Sequence, residues 1–173
     1  MNLTVNDFQI FDGMKDVLGR LNLRIIEEGQ VHSYLFYKSR LFGSTPASKN
    51  DTLIGYDKSA NIIKIVSSPV KPIPEEKKED LFDLLNSINQ KLVNVRFLVD
   101  PGSLRIELQG EMILFGNSFN PDNFKEFLQI FLATGKKLFP KIDEFLQGST
   151  RKENIEELIN SIIKLRQQEM EDS

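Results

Sequence analysis

The chain has 173 residues, a formal net charge of −3, a sequence pI near 5.3 and no cysteine. That balance argues against a dedicated nucleic-acid binder, whose affinity rests on clustered Lys and Arg neutralising phosphates, and the missing thiols exclude disulfides, thiolate metal sites and a cysteine nucleophile. No run approaches the roughly 18 apolar residues of a membrane span, and Met1–Asp7 lacks the basic and apolar regions of a secretory leader, so the expectation is a cytoplasmic chain with no membrane partner.

In chain order, Asn6 and Gln9 read as a cap opening a first helix over 7–20, with Ile10, Phe11, Met14, Val17, Leu18 and Leu21 on its apolar face. Strand signals follow at Arg24–Glu28, Ser33–Phe42, Thr52–Asp57 and Asn61–Ser67, separated by turns at Glu28-Gly29-Gln30 and Asp57–Ala60 and by a longer polar loop, Gly43–Asp51. Three or four antiparallel strands are the simplest arrangement. Pro69, Pro72 and Pro74 then stop the sheet, and Pro74 suits the first position of a second helix.

That second helix places Leu81, Leu84, Leu85, Ile88 and Leu92 on one stripe. After it, Val95, Phe97 and Val99 alternate with polar residues, and beyond Pro101-Gly102 the alternation resumes at Leu104, Ile106 and Leu108. A turn at Asp100–Ser103 pairs Val99 with Leu104, Phe97 with Ile106 and Val95 with Leu108, and sets Arg96 opposite Glu107. Pro-Gly matches strand twist less well than a primed turn, so a bulge is allowed for in this loop, and Glu111–Phe115 either prolongs the second strand or adds a short one.

Asn120-Pro121 caps and opens a third helix, rich in phenylalanine, that Gly135 and Pro140 are expected to bend or break before Gly148 ends it. Thr150 and Glu153 form a capping box for a last helix striped by Ile155, Leu158, Ile159 and Ile162, ahead of a polar tail. The expected architecture is α+β: one antiparallel sheet of about five or six strands with helices packed on it, in the order helix, meander, helix, hairpin, helix, helix. Residues 1–148 form the main domain and 149–173 a C-terminal amphipathic helix and tail.

Leu84-Leu85-Asn86-Ser87-Ile88-Asn89, running through Val95-Arg96-Phe97 and an acidic turn into Leu104-Arg105-Ile106-Glu107-Leu108, precedes a helix with Phe124, Phe127 and Leu138-Phe139-Pro140. This succession resembles the YbjN-type family of bacterial proteins, and the element order is similar to the fold that family shares with type III secretion chaperones. The resemblance covers residues 6–146 and leaves out the last helix. It implies a non-catalytic domain that binds a protein or extended peptide client, as a chaperone or regulatory adaptor, with a homodimer as one arrangement and no cofactor. No catalytic residues come with it.

The residues themselves offer little chemistry. His32, the single histidine, has no nucleophile elbow or metal-ligand partner in sequence and reads as a strand-edge residue; Asp80 and Asp83 beside Lys77 and Lys78 read as exposed helix charge. Two features point to binding. The apolar residues from Phe124 to Leu132 span about 200° of helix surface, more than one sheet covers, so either the last helix or a partner must meet Phe127 and Ile130. Leu98 is apolar on the polar side of the hairpin, and the strand Tyr34–Lys38 is apolar on both sides, which makes the outer sheet face a candidate patch. Leu98, Phe127 and Ile130 are therefore the candidate partner-binding residues. The alternative is a small-molecule sensor or enzyme with a pocket between sheet and helices.

Overall fold

The structure, a computed structural model, describes residues 4–39, 52–68, 73–115 and 118–171, with side chains described as far as Ser161. The expected polar loop Gly43–Asp51 lies outside the described residues, as do the last three residues of the expected second strand.

Helix α1 spans Val5–Arg20. Its cap is Thr4 rather than Asn6: the Thr4 N–H and hydroxyl donate to Asp7 Oδ2 at 2.5 and 2.6 Å, so Asp7 takes the reach-back role expected of Gln9. Strand β1 (Ile25–Val31) runs past Gly29, and the chain reverses at His32-Ser33 into β2 (Tyr34–Ser39). His32 takes φ +53° there, so the single histidine occupies a turn position rather than the start of a strand. Strands β3 (Thr52–Asp57) and β4 (Ile62–Ser67) follow. One 3₁₀ turn, Glu75–Lys77 behind Pro74, leads into α2 (Lys78–Asn89), whose buried stripe is Leu81, Leu84, Leu85 and Ile88.

The second hairpin is β5 (Val95–Asp100) and β6 (Arg105–Ile113). Its register differs by two residues from expectation: Phe97 lies opposite Leu108 and Val99 opposite Ile106. The reason is local. Asp100 accepts from the N–H groups of Gly102 and Ser103, and Leu104 enters the left-handed region at φ +51° with its N–H on the Asp100 carbonyl, so the loop holds four residues, not two. An even shift preserves the face of every paired side chain, so Val95, Phe97, Ile106 and Leu108 are buried as expected, whereas Leu104, expected opposite Val99, lies in the loop and is 39% exposed, and Val99 is half-buried.

The six strands form one antiparallel sheet in the order β1-β2-β3-β4-β6-β5, with β1 and β5 at its edges. On one face Leu35, Tyr37, Ile54, Tyr56, Ile63, Ile65, Val95, Phe97, Ile106 and Leu108 are buried beneath α1, α2 and α3. Phe11 of α1 stacks on Tyr37 at 3.9 Å, and Tyr37 Oη donates to the Phe11 carbonyl. Helix α3 (Pro121–Leu146) is capped by Asn120, which accepts from Asp122 and Asn123. It is one continuous helix, so of the bend or break expected at Gly135 and Pro140 the break does not occur. Pro140 lies on its exposed side, where water can reach the carbonyl freed by the missing N–H, while Leu138, Phe139 and Ile142 are buried on the other side.

Helix α4 (Lys152–Glu171) packs on α2 and α3. Ile155 and Ile159 enter the same core, and Ser87 and Lys91 of the α2 end donate to Glu156 and Asn160 at 2.6 and 3.1 Å. Helix α3 is met by α1 as well as by α4, both of this chain.

Candidate functional site

The opposite face of the sheet bears none of the described helices. Strand alternation places Val31, Gly29 and Glu27 of β1 there, beside Tyr34, Phe36 and Lys38 of β2 and Leu53, Gly55 and Asp57 of β3. The face continues through Ile62, Lys64 and Val66, then Glu107, Gln109, Glu111 and Ile113, and ends at Arg96, Leu98 and Asp100.

Its two halves differ chemically. Across β1, β2 and β3 it is aromatic: the Phe36 ring lies over Gly29, where a Cβ would stand 2.5 Å from Phe36 Cζ, and the Tyr34 ring occupies the space a Gly55 side chain would fill. The two rings stack at 6.3 Å, and Val31 (56% exposed) and Leu53 (39%) border them. Across β4, β6 and β5 the face is charged, with Glu111 between Lys64 at 3.9 Å and Arg96 at 3.5 Å. Ile113, 58% exposed, closes the far corner beside Ile62.

The candidate binding residues part company here. Leu98 is half-buried on the outer face, directly opposite Glu107 and separated from the aromatic half by β6 and β4. Phe127 is 5% exposed, its ring lying against the backbone of Gly110, and Ile130 is a half-buried residue packed against the core. Phe127 is thus covered by this chain's own sheet, because Gly110 leaves room for the ring to reach the backbone. Gly29 and Gly55 were the missed residues. A glycine inside an alternating strand, next to an aromatic strand, was the available signal.

The two edges also differ. Asn89, the last residue of α2, donates from Nδ2 to the Phe97 carbonyl and accepts the Phe97 N–H on Oδ1, both at 2.7 Å. A side-chain carboxamide thereby stands in for a neighbouring strand at the middle of β5. Edge strand β1 instead presents Glu27 and Glu28, paired with Lys38 and Lys15 at 3.5 and 2.8 Å.

The groups with catalytic potential lie apart from one another. His32 is exposed in its turn, and Asp80 and Asp83 are exposed on α2. Asp7 is buried against Lys58, Thr4 and Tyr56; burial pushes its carboxyl up, and the Lys58 ammonium with the Thr4 hydroxyl and N–H outweighs this, holding it at about 2. Burial, with Asp7 close by, pushes the Tyr56 phenol up to about 12. The space between sheet and helices, the place of the alternative pocket, is packed with the fully buried side chains of Tyr37, Tyr56, Phe97, Phe124 and Phe131. Among the described residues no group of three His, Asp or Glu is placed to hold a metal ion, and no helix is long and apolar enough to cross a membrane.

No curated protein matches the sequence. Among solved structures, YbjN from E. coli is similar at 15% identity and a TM-score of 0.47, over 73% of this chain and 91% of that one. The ExsC-ExsE complex provides another, at 13% identity and a TM-score of 0.49, over 79% of this chain and 92% of the matched chain. Residues 54–144, from β3 into α3, match the YbjN family, described as "Putative bacterial sensory transduction regulator". That match spans more than half of the sequence and includes the central strands, the Asn89 helix and the hairpin, so the chain belongs to the YbjN family.

Proposed function

We propose that this protein is a non-catalytic, cytoplasmic protein- or peptide-binding domain, acting as a chaperone or regulatory adaptor, and that its partner lies on the outer face of the sheet. The observation behind this reading is the exposed apolar group Val31 and Leu53 beside Tyr34 and Phe36, on a face that no described helix covers. Clustered apolar surface rimmed by charge marks interaction sites, whereas singly scattered apolar residues do not. Family membership agrees with a regulatory role.

The test is capture of partners from the host cytosol on the immobilised chain, with Leu53→Lys and Leu98→Lys on the outer face and Lys137→Glu on the exposed side of α3. A partner held by the parent chain and by Lys137→Glu, and lost with Leu53→Lys, supports the reading. Leu98→Lys then tells whether the hairpin half takes part. A partner retained by both outer-face variants, or lost equally with Lys137→Glu, overturns it.

A further inference from the structure

We propose that the groove between α2 and α3 is a second binding site, that α4 fills it as a built-in substitute for a partner's helix, and that this partner helix carries two aliphatic residues four apart, each followed by a hydrogen-bond acceptor. The seated helix supplies that description. Ile155 and Ile159 are buried in the core, and the residue after each meets a donor at the end of α2. Glu156 accepts from Ser87 Oγ at 2.6 Å, and Asn160 accepts from Lys91 Nζ at 3.1 Å. Both partners advance by four residues between these bonds, so α4 runs parallel to the end of α2 with the two bonds one turn apart. Glu156 also lies 4.0 Å from Lys152 within α4. Apolar anchors at i and i+4 laid into an apolar groove are the helix-in-groove mode of peptide recognition.

The attachment of α4 suits exchange. From Lys152 to Ser161 its buried side chains are Ile155 and Ile159, with Leu158 half-buried against the core, and the opposite side is exposed. Helix α3 is closed before α4 begins, because the N–H groups of Gln147, Gly148 and Ser149 donate to the carbonyls of Asp143, Phe145 and Glu144. Gly148 is exposed in the left-handed region at φ +73°, with open space where a Cβ would stand. Rotation in the connector after it moves α4 off the groove without breaking a bond of α3.

A groove filled in this way binds a partner with an affinity reduced by the fraction of molecules in which α4 has left it. Helix α4 is therefore a regulator of the site as well as its cover. It lies beyond residue 144, where the segment matching the family ends. The groove is on the helical side of the sheet, separate from the outer face discussed above, and stands whether or not that face binds a partner.

The probe is a fluorescein-labelled peptide of residues 149–171, titrated into the full chain and followed by anisotropy. Ile155→Ala in the chain loosens the built-in helix and leaves the α2 and α3 residues unchanged. That variant is expected to bind the peptide about tenfold or more tightly than the parent does, equivalent to roughly 1.4 kcal/mol. A peptide bearing Ile155→Asp and Ile159→Asp is expected not to bind. Equal affinities of parent and variant, no saturable binding to the variant, or equal binding of the two peptides overturns the proposal. A parent chain that sediments as a dimer and is made monomeric by the peptide assigns the groove to α4 of a second copy, which also overturns it. Should Ile155→Ala fail to fold, a chain with Glu156→Ala and Asn160→Ala takes its place, losing the two polar ties alone, with an expected rise of about threefold and the same overturning results.

Discussion

Asp7, in the first turn of α1, is ion-paired at 2.7 Å with Lys58, fifty-one residues further along in the turn after β3. Both side chains are largely withdrawn from water, and Asp7 also accepts from Thr4 and Tyr56, so this one carboxylate ties the helix start to the sheet. Its folded-state value of about 2 lies below the unfolded value of 3.8. A depressed carboxylate adds stability above the unfolded value and loses it as pH falls through the folded one. Urea midpoints of the parent chain should therefore drop between about pH 4 and pH 2, and Asp7→Asn should be less stable at neutral pH, with a flatter profile in that window. Parallel profiles would remove Asp7 from the acid response.

Two glycines in the sheet face rings of different freedom. A Cβ on Gly110 would stand 2.9 Å from Phe127 Cζ and 3.1 Å from Phe131 Cδ2, both buried under α3, whereas the atoms nearest to one on Gly55 belong to the Tyr34 side chain on the open face. Gly110→Ala should cost about 2–3 kcal/mol through overpacking, and Gly55→Ala about 1 kcal/mol or less, because Tyr34 can swing into solvent. Denaturant melts of the two variants check the order.

Thr134 is buried in α3, and its hydroxyl has no hydrogen-bond partner among the described residues. Valine keeps the shape and removes the unsatisfied group. Thr134→Val should raise stability by about 1 kcal/mol, seen as a higher melting temperature, whereas Thr134→Ala should not, since it also removes packing.

Ile155 is fully buried where α4 meets the core. Ile155→Ala should cost about 2–4 kcal/mol in one cooperative transition. A variant as stable as the parent chain would show that α4 adds nothing to the folded core.

Local patterning carried much of the fold. Alternation at Val95, Phe97, Ile106 and Leu108 and the stripe Leu81-Leu84-Leu85-Ile88 predict both the element and its buried side, because period and facing depend only on neighbours along the chain. The resemblance in Leu84–Asn89 and the hairpin likewise lies within the family match. Of the candidate site, the apolar outer face was legible in the two-sided strand Tyr34–Lys38, and Leu98 lies on that face.

Other features depend on groups distant in sequence. Pro140 is tolerated because its side of α3 faces water, and Phe127 is buried because Gly110, on another strand, lets its ring reach the backbone. Asn89 reads locally as an ordinary residue at a helix end, and only the packing of α2 along β5 brings its carboxamide to Phe97. The sequence by itself determined which residues form helices and strands and which sides they bury, since backbone geometry sets those periods. The tertiary structure decided which surfaces stay open, because exposure depends on what the rest of the chain places on top of them.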